Sequence, residues 1–238
     1  MAHRPPPPAL EEPDDTTGLV EFYVPDSTKL ERDDPPFAQV QRTRHSIREY
    51  SAAPLSAQQL GEFLYRVGRV TERWESEFTT PGGPVVLNFA SRPYPGSGAM
   101  YELDLYVVVQ RCAGLAPGLY RYDPLRHALA TIDAAEMDVE LLLAEAAGSA
   151  GMAPDSLQVL LVIAARFERV AWKYESIAYS LILKDTGALI QTMYLAATAM
   201  GLAPCALGCG DSDLFARAAG TNYYVKTSVG EFLLGSKA

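Results

Sequence analysis

The chain is poor in the residues that build cross-linked or metal-bound proteins. It has three cysteines, none of them in a Cys-x-x-Cys pair, and three histidines that lie far apart. An odd number of cysteines without paired spacing argues against a disulfide framework. Histidines and cysteines without ligand spacing also argue against a zinc site. We therefore predict a reduced, cytoplasmic setting and no bound metal.

The chain also lacks the signals of membrane insertion, secretion and nucleic-acid binding. No apolar run is long enough to cross a bilayer, and residues 5–8 are prolines where a signal peptide would have its apolar core. The 20 Lys and Arg against 29 Asp and Glu give a net charge of −9, which argues against a nucleic-acid surface. We expect neither a membrane nor a nucleic-acid partner.

Much of the negative charge lies near the N-terminus. Residues 1–35 hold nine acids and three bases, together with many prolines. This composition predicts a mobile, acidic, proline-rich extension over residues 1–36. The rest, 37–238, is predicted to form one folded domain, because 48% apolar and 21% charged residues are globular values. Within the extension, 19–24 predicts a short strand or an arm that packs on a neighbouring molecule.

Strand and helix patterns are intermixed along the predicted domain. Ser56-Ala-Gln-Gln59 has the form of a capping box and predicts a helix that begins there. The apolar positions of 172–200 predict a long helical stretch, broken near 184–187 and ended by Gly201. This mixture predicts an α+β fold. The other expected elements are strands at 103–110, 118–124, 127–132, 157–165 and 229–234, and helices at 137–147 and 213–219.

One polar segment has the chemistry of phosphate recognition. Arg44-His-Ser-Ile-Arg48 places two guanidinium groups, an imidazole and a hydroxyl close together. Guanidinium pairs with phosphate through two parallel hydrogen bonds and stays charged at all working pH values. An exposed basic patch is the alternative interpretation. No Walker A or Gly-x-Gly-x-x-Gly motif is present, and Gly208-Cys-Gly210 lacks the third glycine of a dinucleotide fingerprint.

Two small-residue segments could bring bare backbone against a flat ring. Gly96, Ser97 and Gly98 follow Pro95 and lead directly into a β-branched strand. Glycines there would remove the Cβ atoms that hold a ligand away, although an ordinary structural loop is the alternative. Pro204–Gly208 offers a second set of backbone N–H groups. Together with the basic segment, they predict a site for a mononucleotide.

These segments resemble the nitroreductase superfamily, because Arg44-x-Ser46-x-Arg48 is similar to its N-terminal phosphate-binding motif. Further segments are similar to the SagB-type dehydrogenases, which include the azoline oxidases of thiazole- and oxazole-modified peptide pathways. The resemblance covers about residues 38–238. It implies a nitroreductase-like FMN-binding fold with a mixed or antiparallel central sheet wrapped by helices, in an intertwined homodimer. The segments that carry it are Arg92–Pro95, Gly98–Tyr101, Gly118–Pro124, His127–Leu129, Gly187, Gln191 and Ala199–Leu202.

The resemblance also implies roles for individual residues. Lys173-Tyr174 stands where azoline oxidases carry a Lys-Tyr pair implicated in proton removal. A neighbouring ammonium favours the phenolate form of a tyrosine, and either residue could be the base. The chain departs from the usual pattern at Gly96, Glu102 and Ala188, where relatives often have Ser, Pro and His. The implied FMN-binding residues are Arg44, His45, Ser46, Arg48, Pro95, Gly96, Ser97, Gly98, Gln191, Ala206, Leu207 and Gly208.

The function implied is an FMN-dependent dehydrogenase that aromatises thiazoline or oxazoline rings in a peptide precursor, ribosomal or carrier-bound. The substrate would lose a proton and a hydride, and dioxygen would reoxidise the flavin. A cyclodehydratase or a carrier protein is an expected partner. Two alternatives stay open: an NAD(P)H-dependent nitro- or quinone reductase, which needs no dedicated base, and a non-catalytic FMN-binding scaffold subunit of a biosynthetic complex.

Overall fold

The computed structural model describes residues 5–11 and 18–238, and its centre is a seven-stranded sheet with the order β1-β6-β5-β4-β7-β9-β8. Every neighbouring pair in this sheet is antiparallel, so the prediction of a mixed or antiparallel sheet in an α+β fold is confirmed in its antiparallel form. The strands are β1 Leu19–Glu21, β2 Glu72–Thr80, β3 Gly83–Ser91, β4 Leu103–Val109, β5 Gly118–Asp123, β6 Ala128–Ile132, β7 Val159–Arg166, β8 Leu202–Leu207 and β9 Lys226–Ser236.

Helices cover both faces of the sheet. Alternate residues of a strand point to opposite faces, and in β4 Leu105 and Val107 join one apolar core while Tyr106 and Val108 join the other. The first core is shared with α3 and α6, and the second with α4 and α7. The helices are α1 Ser27–Asp33, α2 Phe37–Thr43, α3 Ala57–Gly68, α4 Glu136–Ala150, α5 Phe167–Tyr174, α6 Ala178–Ala199 and α7 Ser212–Ala218.

The capping box at the start of α3 is confirmed. The Ser56 side chain accepts from the Gln59 backbone N–H, and the Gln59 side chain accepts from the Ser56 backbone N–H at 3.0 Å. The two bonds satisfy N–H groups that the first helical turn would otherwise leave without partners. Leu60, Phe63 and Leu64 then follow at helical spacing and are fully buried.

The break in the long helical stretch was predicted at the wrong place. The chain leaves the helix at Glu175, whose φ of 44° and ψ of −112° end α5, and α6 then runs without interruption through Gly187. A glycine in a helix interior costs stability but does not by itself break the helix. The break therefore falls directly after Tyr174, and this places the Lys173-Tyr174 pair at a helix end.

The β2–β3 hairpin was not among the elements predicted from the sequence. The two strands pair from Glu72↔Ser91 to Thr80↔Gly83 and form a sheet of their own. Their inward positions are aromatic, since the ring centroids of Trp74 and Phe89 stack 5.3 Å apart. The polar Ser76 lies between Trp74 and Phe78 on the inward face of β2 and interrupts the apolar alternation that indicates a strand.

Described parts of the predicted N-terminal extension contact the body of the fold. Strand β1 pairs with the edge strand β6, and the Phe22 ring lies 2.7 Å from the position that a Cβ on Gly61 would take. Residues 5–11 form a segment, here called the strap, whose backbone carbonyls accept hydrogen bonds from buried arginines. The domain boundary after residue 36 stays a prediction, and residues 1–4 and 12–17 of the extension lie outside the described residues.

None of the helices within residues 18–238 or 5–11 is both long enough and apolar enough to span a bilayer.

Candidate functional site

Part of the predicted phosphate-binding segment gathers around Tyr194 of α6. The Ser46 Oγ lies 2.6 Å from the Tyr194 hydroxyl oxygen, which also accepts the Ala206 backbone N–H at 2.8 Å. The Arg44 guanidinium carbon lies 5.0 Å from the centroid of the Tyr194 ring. The structure thus brings Arg44 and Ser46 together with the β8 segment. We call Arg44, Ser46, Tyr194 and Ala206 the phosphate cluster.

The other residues predicted for this part of the site are near the surface. The His45 Nδ1 is 2.7 Å from the Thr43 carbonyl oxygen, so this ring bonds within its own loop and not to Tyr194. Leu207 is half-buried at the end of β8. Four of the predicted FMN-binding residues in this part of the site are exposed and therefore accessible to a ligand. They are His45, Arg48, Gln191 and Gly208.

A carboxylate of α6 accepts hydrogen bonds from the predicted ring-binding turn, Pro95–Gly98. The Ser97 backbone N–H and hydroxyl donate to the two oxygens of Asp185 at 2.8 and 2.9 Å. The backbone is left-handed at Gly98, at Ala99 and at Tyr101, with φ of 53°, 58° and 45°. Residues other than glycine seldom adopt this conformation, so the surrounding contacts must hold it.

Arg169 of α5 supplies several of those contacts. Its guanidinium is fully buried and donates to the backbone oxygens of Met100, Asn88 and Pro7 at 3.0, 2.7 and 2.5 Å. Burial, with a smaller effect of the neighbouring Arg166, lowers the pKa of Arg169 to about 10. The side chain stays cationic near neutral pH and ties the turn to the β2–β3 hairpin and to the strap.

The predicted Lys173-Tyr174 pair lies against the same turn. The Lys173 Nζ is 3.5 Å from the Gly98 carbonyl oxygen. A Cβ on Gly98 would lie 2.0 Å from the Tyr174 hydroxyl oxygen and 2.9 Å from the Lys173 Nζ. Only glycine leaves room for both groups, while the rings of Phe78 and Phe89 lie 5.7 and 6.0 Å from the ammonium. An ammonium, a phenol and bare backbone are therefore concentrated at one place.

The phosphate cluster and the turn lie on different sides of α6. Asp185 contacts the turn and Tyr194 belongs to the cluster. They are separated by about two and a half helical turns, so their side chains leave the helix in nearly opposite directions. One copy of the chain therefore presents two separate parts of the predicted site.

Three residues of this arrangement were missed by sequence reasoning: Asp185, Tyr194 and Arg169. Asp185 had a readable signal, because it interrupts the apolar face of α6 that Ile182 and Leu189 define, and a charge on a buried face needs a partner. The other two gave none, since tyrosine and arginine are common on amphipathic helices.

A sequence profile of the Nitroreductase family matches residues 42–230, well over half of the chain. A protein of Methanocaldococcus jannaschii named as a candidate nitroreductase is 30% identical over 190 residues, covering 79% of this chain and 84% of the relative. The chain belongs to the nitroreductase family.

Two solved structures share the fold. A chain of the Escherichia coli microcin synthetase McbBCD complex, solved with truncated pro-MccB17, has a TM-score of 0.64 at 19% identity, over 96% of this chain and 79% of that one. A candidate nitroreductase from Desulfovibrio desulfuricans, solved with FMN, has a TM-score of 0.50 at 17% identity, over 86% of this chain and 88% of that one. The predicted nitroreductase-like fold is confirmed.

Membership of this FMN-dependent family makes the protein a flavin-dependent oxidoreductase with FMN as its cofactor. The donors in the structure fit that group. The guanidinium of Arg44 and the hydroxyl of Ser46 are phosphate donors. The side of Gly98 that lacks a Cβ faces Tyr174 and Lys173.

Proposed function

We propose that the protein is an FMN-dependent azoline dehydrogenase, which converts thiazoline or oxazoline rings of a peptide to thiazole or oxazole. The observation that carries this proposal is the packing of Lys173 and Tyr174 against Gly98. Flavin reduction by a nicotinamide would need an open stacking surface and no base, whereas removing a carbon-bound proton needs one. The matched fold of a microcin synthetase subunit adds support, including for a partner such as a cyclodehydratase.

In this reaction the chain's own residues bind and orient the groups and move the proton. Arg44 and Ser46 would hold the phosphate, and the backbone of the turn would face the ring. Lys173 and Tyr174 lie together at the turn, and one of them takes the proton from the ring Cα as the general base. FMN when bound supplies the acceptor for the hydride from the adjacent carbon, and dioxygen removes the electrons afterwards.

We further propose that the working unit is a homodimer. The two parts of the site lie on different sides of α6, so a complete site needs the turn of one copy and the phosphate cluster of the other. The solvent side of α6 and of the turn before it also carries large apolar side chains, with Ile177 52%, Tyr179 62% and Leu183 45% exposed. An exposed apolar helix face of this kind fits a self-complementary interface.

Leu183→Glu is expected to separate the dimer, because it would bury a carboxylate from each copy in the proposed apolar interface. Light scattering should then give the monomer mass, and the FMN affinity should fall by about tenfold or more, since each monomer keeps only part of the site. Glu62→Ala, at a half-buried position on α3, is the control and should leave both unchanged. A variant that stays dimeric would place the interface elsewhere.

Tyr174→Phe is expected to lower the rate of azoline oxidation by about 10²-fold, within the usual range for general base catalysis, and Lys173→Ala by a similar factor. The measurement is single-turnover loss of flavin absorbance on mixing with an azoline peptide under anaerobic conditions. Tyr224→Phe, at an exposed tyrosine away from the turn and from α6, serves as the matched control.

The competing function is an NAD(P)H-dependent reductase, which is favoured by the name of the Methanocaldococcus jannaschii relative. The two functions differ in what reduces the flavin. Rapid bleaching by NADPH, with azoline oxidation unchanged in Tyr174→Phe and Lys173→Ala, would establish the reductase and refute the dehydrogenase.

A further inference from the structure

Glu102 is a buried acid directly beneath the ring-binding turn. It lies between Tyr101 and the first residue of β4, and its exposed fraction is 0%. Its backbone is fixed, because the Arg166 backbone N–H donates to the Glu102 carbonyl oxygen at 3.0 Å. A carboxyl group so far from water carries a large desolvation cost unless it is protonated or receives hydrogen bonds.

The carboxyl of Asp185 acts on the Glu102 carboxyl both through its charge and as a hydrogen-bond partner. Neither Glu102 oxygen has a hydrogen-bond partner of good geometry among the described residues, although the Glu102 backbone N–H lies close enough to its own carboxylate to stabilise the charge. Asp185, in contrast, accepts bonds on both oxygens from Ser97. Two facing carboxyl groups need a proton between them, and the one without donors is the one that keeps it. The proton therefore belongs to Glu102.

The other ionisable groups around Glu102 do not replace that proton. Burial, followed by the charge of Asp185, raises the pKa of Glu102 to about 7, while the backbone N–H of Glu102 itself and the charge of Arg166 oppose the shift. Within the described residues, the guanidinium groups of Arg166 and Arg169 donate their hydrogen bonds to backbone oxygens. Tyr94, also buried nearby, has its pKa raised by burial and is neutral at these pH values.

We propose that Glu102 is a positioning residue of the FMN site, whose carboxyl proton bridges to Asp185 and so holds the Ser97–Gly98 turn in its ligand-binding conformation. The inference depends on the proposal that this turn faces the flavin.

Loss of the proton should loosen the turn. When Glu102 ionises, two negative carboxylates face each other without a donor between them, and the two hydrogen bonds that Ser97 donates to Asp185 compete with their repulsion. The conformation that binds FMN should then be less populated above pH 7 than below it. At pH 8, one unit above the pKa of Glu102, about one molecule in ten still carries the proton, so the affinity should fall by about tenfold.

The test measures FMN binding to the apoprotein between pH 5.5 and pH 8.5. Quenching of the flavin fluorescence reports the binding. We expect the wild-type dissociation constant to rise by about tenfold between pH 6 and pH 8 relative to that of Glu102→Gln, which keeps a donor but cannot ionise. The comparison with the variant cancels the titration of the FMN phosphate itself. Glu231→Gln, a buried acid on the opposite face of the sheet with its own raised pKa, should behave as the wild type.

An infrared titration of the apoprotein separates this inference from the proposed function. The carbonyl band of a protonated, buried carboxylic acid should be present at pH 6, absent in Glu102→Gln, and lost in the wild type near pH 7. In Asp185→Asn the same band should titrate at lower pH, because the repelling charge is gone. Failure to bind FMN with this band intact would refute only the assigned role of the turn. Absence of the band, or equal pH dependence of FMN binding in Glu102→Gln and the wild type, would overturn the role of Glu102.

Discussion

Gly98→Ala is expected to lower azoline oxidation by about 10³-fold, because it displaces both groups that would remove the substrate proton. The new methyl carbon would lie 2.0 Å from the Tyr174 hydroxyl oxygen and 2.9 Å from the Lys173 Nζ. The Tyr174 hydroxyl lies on the axis of a rigid ring, so ring rotation cannot move it away from the new methyl group. The left-handed backbone adds a cost of about 1 to 2 kcal/mol for a residue with a Cβ. Single-turnover flavin reduction and the FMN content of the purified protein measure the two effects.

Gly148→Ala is the matched control for this substitution. Gly148 lies within α4, and a Cβ there would meet nothing within 4 Å. Alanine should therefore leave the activity unchanged and raise the free energy of unfolding by up to about 1 kcal/mol. Turnover of Gly98→Ala within tenfold of the wild type would mean that Tyr174 and Lys173 do not pack on the turn as described.

Arg169→Met is expected to cost about 4 kcal/mol of folding free energy, the largest stability loss that we predict. The substitution removes a charged donor from three backbone oxygens, and hydrogen bonds to a charged group contribute about 1.5 to 3 kcal/mol each. Methionine fills much of the same volume but satisfies none of the carbonyls. Urea unfolding followed by circular dichroism gives the free energy, and release of FMN should accompany it because Met100 belongs to the turn region.

Two further arginine variants show whether the geometry of these bonds matters. Arg169→Lys keeps the charge but can reach the carbonyls only with a compact ammonium, so its loss should be intermediate. Arg217→Met removes a solvent-exposed ion pair with Asp138 and should change stability little. If Arg169→Met lost no more unfolding free energy than Arg217→Met, the hydrogen bonds of the buried guanidinium would not stabilise the fold.

Local sequence patterns predicted many of the helices and strands. They could not predict the long-range contacts of the site. The capping box at Ser56 and the apolar run of β7 predicted their elements because their signals lie within a few adjacent residues. The phosphate-binding role of residues 44–48 was predicted from the same kind of local pattern and stays a prediction. Arg169 could not be predicted in this way, because its three partners lie on other elements and are backbone atoms, which carry no sequence signature. The break after Tyr174 was missed because it depends on one unusual φ and ψ pair and not on a glycine or proline.

The strap has a consequence for comparing this chain with distant relatives. Arg166 and Arg169 are bound by the carbonyl oxygens of Pro7, Pro8 and Ala9, and every amino acid has a carbonyl oxygen. Selection on these contacts would therefore preserve the path and length of the segment, while its amino-acid sequence could diverge. Two proteins could share the strap in space while an alignment of their first residues looks random.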